Sequence, residues 1–111
     1  MDNVKNDSYY AQLIIDNIKA IQKYLGNKTY DEFLNDEQLI DAVMFRLIQL
    51  IENIKNISTE FKEKNNHIPW GKIMGFRNGI VHEYGETDYT IVYETATEDL
   101  DELKILFESI L

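Results

Sequence analysis

The sequence predicts an all-α fold, an antiparallel bundle of four to five helices formed by a single domain over residues 1–111. Apolar residues recur at the three- and four-residue spacing of amphipathic helices through most of the chain. Only one proline and five glycines interrupt this pattern, which disfavours a fold rich in loops. A chain of 111 residues also has no room for a second hydrophobic core.

The first predicted helix ends at Leu25. Gly26 and Asn27 follow it as a C-terminal stop, because glycine and asparagine tolerate the backbone conformation that closes a helix. Asn35 or Asp36 can cap the next helix through its side-chain oxygen. The inward stripe of the first helix consists of Tyr10, Leu13, Ile14, Ile18, Ile21 and Leu25.

The second predicted helix is long, from about Glu37 to Glu63. Its apolar residues form two sets that together exceed one face, so either a second subunit covers the surplus or the helix is central and its own neighbours surround it. Arg46 lies within this apolar arc, and we expect it to pair with an internal carboxylate or to extend outward to solvent. The two sets are Leu39, Val43, Leu47, Leu50, Ile54, Ile57 and Phe61, and Ile40, Met44, Phe45, Ile48 and Ile51.

A third helix is predicted to open at Ile68-Pro69-Trp70, after a polar loop in which His67 is expected to be exposed, and to end at Gly85. The stretch 89–93 alternates like a strand but also fits helical spacing. Because no other segment could pair with it as a strand, we predict a helical turn capped by Asp88. The last predicted helix has an inward-facing stripe, formed by Leu100, Leu103, Leu106, Phe107 and Ile110.

Composition narrows the function classes. No apolar run approaches the roughly 20 residues of a membrane span, the N-terminus shows no signal-peptide pattern, and there is no cysteine for a disulfide or thiolate metal site, so we expect a cytoplasmic protein without membrane contact. The net charge of −9 disfavours binding to nucleic acid, RNA included, because such binding depends on lysine and arginine. It leaves open a local positive cleft or a basic partner.

The residues best suited to chemistry are Arg77, Asn78, His82 and Tyr84. They offer a permanent cation, a neutral hydrogen-bonding group, a proton shuttle near neutral pH and a modifiable hydroxyl. Asn78 and His82 are four residues apart and share a helix face, and the long side chain of Arg77 can reach the same point. A row of glycines leads to this point and indicates close approach by another helix, a second subunit or a ligand: Gly71, Gly75 and Gly79.

The sequence contains no metal-protease, P-loop or paired-aspartate motif, so we expect neither metal nor cofactor in this chain. RNA supplies its own nucleophile, the 2′-hydroxyl, and its cleavage needs only a base, an acid and a cation. Each chain has one suitable histidine, His82, whereas a two-fold dimer brings two into one cleft. Taken alone, such a histidine is more often structural, and Tyr84 would be an ordinary surface aromatic.

Residues 77–84 match the pattern Arg-x-x-x-x-His-x-Tyr and resemble the signature of HEPN domains, specifically the HepT-like toxins of MNT/HepT toxin–antitoxin systems. The resemblance extends over most of the chain: residues 68–78 are similar to the central block of the family, residues 88–103 to its closing helix and residues 42–52 to its second helix. One departure is Glu52-Asn53-Ile54, where the family commonly has Gly-Glu-Ala.

This resemblance implies an all-α HEPN homodimer with a metal-independent ribonuclease cleft shared by two copies. Arg77 would hold the scissile phosphate, His82 would act as general acid and base, and Asn78 would orient either group. It also implies a type VII-like toxin–antitoxin pair, in which a cognate MNT-type nucleotidyltransferase antitoxin transfers AMP from ATP to Tyr84, with ATP and magnesium belonging to that partner. Two alternatives remain: a non-catalytic helical binding subunit of a nucleotidyltransferase complex, and a nucleotide-binding protein with its site at Arg77.

Overall fold

The computed structural model describes residues 6–80 and 87–111, and within these ranges the side chains of residues 6–75 and 87–111. Every regular element in these ranges is helical, which confirms the predicted all-α class. In chain order the elements are α1 (Asp7–Leu25), α2 (Tyr30–Leu34), α3 (Glu37–Lys55), α4 (Thr59–Lys64), α5 (Trp70–Ile80), α6 (Tyr89–Glu94), a π-helical segment (Thr95–Asp99) and α7 (Leu100–Glu108).

The centre of the fold is the pairing of α1 with α3. The predicted ends of these helices are confirmed: Gly26, at φ 51°, follows α1 and donates its N–H to the Gln22 carbonyl, and Asp36 caps α3 by accepting from the N–H of Leu39. Both helices bury their apolar stripes in one continuous core. The largest fully buried side chains in that core are Phe33, Phe107, Ile14, Ile18, Ile21, Leu47, Leu50, Ile54, Ile68, Ile73 and Leu100.

The prediction of one helix from about Glu37 to Glu63 is wrong, because the helix ends at Lys55 and a separate helix, α4, begins at Thr59. Ser58 caps α4 by accepting from the N–H of Phe61, and the Asp7 carboxylate accepts from the Ser58 N–H at 2.8 Å and from its hydroxyl at 2.7 Å. These polar groups offer the backbone alternatives to helical bonding. Ile57 stays in the core at 4% exposure, so the apolar periodicity continues across the break and conceals it.

The remaining helices carry the predicted C-terminal half of the bundle. The Pro69 carbonyl accepts from the N–H of Ile73 in the first turn of α5. The ambiguous stretch 89–93 is helical, as predicted: Asp88 accepts from the N–H groups of Thr90 and Ile91 at the start of α6. Within residues 6–80 and 87–111, no helix combines the length and apolarity needed to cross a membrane.

Candidate functional site

The helix α5 carries the first half of the predicted site. Arg77 and Asn78 lie on α5, close to its last described residue, Ile80. The side chains of these two residues, the residues His82 and Tyr84, and the predicted end at Gly85 lie outside the described part of the structure. The predicted convergence of the four side chains therefore stays a prediction.

The first half of α5, which precedes the motif, is fixed to the core. Ile73 is only 1% exposed. The Trp70 ring packs edge-on against the rings of Phe61 and Phe107, with centroid distances of 6.4 and 5.5 Å, and its indole N–H donates to the Asn65 carbonyl at 3.1 Å. The part of α5 that leads to the motif is therefore attached to the core by an apolar side chain, two ring contacts and one hydrogen bond.

Gly71 and Gly75, the first two glycines of the row on α5, face open space among the described residues. A Cβ atom added at Gly71 or Gly75 would meet no atom of the described chain within 4 Å, and Gly79 lies beyond the described side chains. Packing by another helix of the same chain is therefore excluded as the reason for the first two glycines, as far as the described residues extend. A second copy or a ligand remains as the partner that this row predicts.

The surplus apolar surface predicted on α3 exists in the single chain. Phe45 is 57% exposed and Ile48 is 41% exposed, while Ile40 and Met44 are half-buried and Ile51 is buried at 4%. The alternative of a central helix covered entirely by its own neighbours thus fails at Phe45 and Ile48 in the described structure. An exposed apolar pair on one helix face is typical of a surface that meets another protein.

Arg46 does not make the carboxylate contact or the outward extension that we expected. Its guanidinium is half-buried between α1 and α3 and donates to the Asn17 side-chain oxygen and to the Tyr24 hydroxyl, each at 3.2 Å. Its Cζ atom lies 5.8 Å from the centre of the Tyr24 ring and 6.0 Å from that of Phe45. No carboxylate of the described residues forms a salt bridge with it. The sequence reveals the apolar setting of Arg46 but not these neutral partners.

The other histidine, His67, is exposed in the loop before α5, as predicted. Among the residues described, no group of three or more histidine, cysteine, aspartate or glutamate side chains is arranged to hold a metal ion. Among the described residues, Glu32 at the start of α2 has a shifted pKa: the hydrogen bond from the Thr29 backbone N–H, followed by that from the Thr29 side chain, lowers the pKa of Glu32 below its ordinary value.

Comparisons with known proteins cover nearly the whole chain. A family model described as Ribonuclease HepT-like matches residues 14–110. A "Gamma-glutamylcyclotransferase and putative RNase" of Methanocaldococcus jannaschii is 35% identical over 100 residues, which are 90% of this chain but only 45% of that protein. A second M. jannaschii protein, a "Putative RNase", is 34% identical over 98 residues, or 88% of this chain and 81% of its own length.

A further relative is the "Probable ribonuclease HepT" of Thermococcus cleftensis, which is 30% identical over 101 residues, or 91% of this chain and 92% of its own length. No solved structure matches the chain at a significant level. The family match includes the whole segment 77–84, so the resemblance inferred from that motif is confirmed. The chain therefore belongs to the HepT-like ribonuclease family of HEPN proteins, a family of RNA-cleaving enzymes.

Proposed function

We propose that this chain is the toxin of a type VII-like toxin–antitoxin pair and acts as a metal-independent endoribonuclease at a cleft between two copies. The single observation that carries this proposal is the intact set of Arg77, Asn78, His82 and Tyr84 inside the segment matched by the HepT-like ribonuclease family. The names of the relatives, which describe ribonucleases, support the same substrate class.

The proposed reaction uses groups that the chain and the RNA both supply. The imidazole of His82 takes the proton from a 2′-hydroxyl, and the resulting oxygen attacks the adjacent phosphorus. The bond from phosphorus to the 5′-oxygen breaks, and that oxygen takes a proton from the partner subunit's His82. The products are a 2′,3′-cyclic phosphate and a 5′-hydroxyl. Arg77 stabilises the charge that develops on the phosphate oxygens, and Asn78 orients phosphate or imidazole.

A dimer is required because each chain contributes only one motif histidine. The exposed Phe45 and Ile48 on α3 support an apolar contact with a second copy, and the open glycine row on α5 supports close approach at the same helix that carries the motif. A two-fold contact would repeat each of these surfaces on both sides of the interface. Sedimentation of the purified chain should therefore give twice the mass of one protomer.

The regulatory part of the proposal concerns Tyr84. An MNT-type nucleotidyltransferase antitoxin transfers AMP from ATP to the tyrosine hydroxyl, with pyrophosphate as the leaving group. The added phosphate lies close in sequence to Arg77 and neutralises the cation that RNA needs, while its adenosine occupies space in the cleft. Co-expression with the antitoxin should add the mass of AMP to this chain, and Tyr84→Phe should abolish the addition.

The central test compares the two histidines of the chain. Purified protein should cut single-stranded RNA in the presence of a chelator, and both His82→Ala and Arg77→Ala should lose cleavage. The matched control is His67→Ala, because His67 is exposed in a loop and has no role in the proposed reaction. Equal cleavage by the wild type and His82→Ala would refute the proposed chemistry.

The second candidate is a non-catalytic helical subunit of a nucleotidyltransferase complex. The net charge of −9 favours it, because a polyanionic substrate is repelled by an acidic chain. It predicts a stable complex with the nucleotidyltransferase and no RNA turnover by the isolated dimer. Nucleotide binding at Arg77 is a third possibility, and titration calorimetry with ATP and AMP decides it.

A further inference from the structure

We infer that Arg46 binds a backbone phosphate of the RNA substrate at a point separate from the scissile phosphodiester. The inference rests on the proposed ribonuclease function and adds a substrate-binding residue outside the Arg77–Tyr84 motif. Arg46 is the only arginine of the chain besides Arg77, and it lies on α3, the helix against which α5 packs.

The guanidinium of Arg46 has unused hydrogen-bond donors and no acidic partner among the described residues. The group carries five N–H donors, and its protein hydrogen bonds in the described structure use two of them, to the side chains of Asn17 and Tyr24. Both acceptors are neutral. A half-buried cation is normally paired with an acid, because removal from water is costly for an unpaired charge. Here the positive charge remains uncompensated by any described carboxylate, in a chain with 20 acidic residues.

The guanidinium of Arg46 is also held in a fixed orientation. Asn17 is only 6% exposed, and its own side-chain N–H donates to the Leu13 carbonyl, so its oxygen is held in place for Arg46. The Tyr24 hydroxyl holds the other nitrogen. This arrangement fixes the plane of the guanidinium before any ligand arrives, which reduces the entropy lost on binding. A planar guanidinium with free donors matches the geometry of a phosphate better than a solvated lysine does.

Arg46 can be compared with five lysines of the described chain whose ammonium groups have a contact within the protein. Lys55, Lys64 and Lys72 each form a salt bridge with a nearby acid. Lys62 lies 5.8 Å from the centre of the Trp70 ring. Lys104 donates to Gln22. Acids thus compensate three of these lysines, and Lys62 and Lys104 have neutral partners as Arg46 does, but Arg46 is held by two acceptors on α1 that fix its planar donor group. An RNA chain passing over the α1–α3 surface would supply the missing anion.

The test measures binding of a labelled single-stranded RNA to the full chain in a non-cleaving His82→Ala background, as a function of salt. Arg46→Gln should weaken binding about three- to tenfold and reduce the slope of log affinity against log salt by about 0.7, the value for one lost phosphate contact on single-stranded nucleic acid. The matched control is Lys55→Gln, which makes the same charge change in the same helix at a lysine already paired with Glu52 at 3.1 Å. It should alter neither quantity. In the cleaving protein, Arg46→Gln should raise KM and leave kcat unchanged.

Two further variants separate charge from structure. Tyr24→Phe removes a neutral partner of Arg46 but keeps the cation, so the salt slope should not change. Arg46→Lys keeps the charge and loses the planar pair of donors, so affinity should fall about threefold with an unchanged slope. If Arg46→Gln does not fold, unchanged affinity in Arg46→Lys overturns the inference.

The outcomes distinguish this inference from the proposed function. A wild type that cuts RNA, with Arg46→Gln retaining affinity and slope, overturns the phosphate contact alone. A protein that binds RNA without cutting it refutes the proposed function, while the salt slopes still decide the role of Arg46. If Arg46→Gln instead converts a dimer to monomers, Arg46 meets a carboxylate of the second copy and the phosphate assignment is wrong.

Discussion

Replacing Ile73 should show how firmly the motif-bearing helix is attached to the core. Ile73 is 1% exposed in the first half of α5, one turn before Arg77, and belongs to the continuous core. Ile73→Val removes one methylene and should lower the free energy of unfolding by about 1 kcal/mol. Ile73→Ala removes most of the side chain and leaves a cavity, so it should cost about 3 kcal/mol. That is a large part of the 5–15 kcal/mol typical of a small domain.

The assay is urea denaturation followed by circular dichroism, with RNA cleavage measured on the same samples and corrected for the folded fraction. The control is Ile105→Ala, because Ile105 is 58% exposed on α7 and its loss should change stability by less than about 0.5 kcal/mol. The folded fraction of Ile73→Ala should also cleave more slowly, since a loosened α5 misplaces Arg77. A cost below about 0.5 kcal/mol for Ile73→Ala would refute the view that this residue anchors the site.

Four further predictions follow from the described contacts. Asp7→Asn should destabilise the fold by about 1 kcal/mol in thermal melts, because a neutral amide accepts more weakly from Ser58 than a carboxylate does; an unchanged melting temperature would contradict this. The pKa of Glu32 is lowered in the folded state, so its contribution to stability is present above the ordinary value of 4.5 and disappears as pH falls through the folded pKa. Glu32→Gln should therefore be less stable than the wild type at pH 7, and this difference in stability should close in acid. Gly75→Ala should stabilise the isolated protomer by up to about 1 kcal/mol, since a Cβ there meets nothing described, and a loss of stability would show that the site is filled. Ile48→Glu should shift sedimentation toward monomer and abolish RNA cleavage, and an active monomer would remove the need for a shared cleft.

The sequence predicts most of the helical frame because its signals are local. Gly26, Asp36 and Asp88 are each a few residues from the backbone groups that they cap, so their roles can be read without knowledge of the fold. The break at Ser58 could not be found in this way. It depends on Asp7, 51 residues earlier, and the apolar spacing runs through it without a change of phase.

The same difference between local and distant signals applies to the candidate site. The motif from Arg77 to Tyr84 is contiguous, so residue types and spacing suffice to indicate a chemistry and a family. The partners of Arg46 are distant from it in sequence, because Asn17 and Tyr24 belong to another helix. The apolar spacing places Arg46 in an apolar arc and predicts an acidic partner or an outward extension, whereas its described partners are neutral. Only the packing of α1 on α3 reveals a cation with neutral partners.

The net charge of −9 becomes compatible with an RNA substrate once the positions of the cations are considered. Affinity for nucleic acid depends on the cations that actually reach phosphates, and the surplus acids act at longer range, where salt screens them within about 10 Å. An acidic surface with a few fixed cations repels RNA generally and favours only a strand that reaches those cations together. Arg77 on α5 and Arg46 between α1 and α3 are the two arginines available for this purpose in each protomer. Under the roles proposed for Arg77 and Arg46, the acidic composition suppresses non-specific binding, and the two arginines determine where a bound strand can lie.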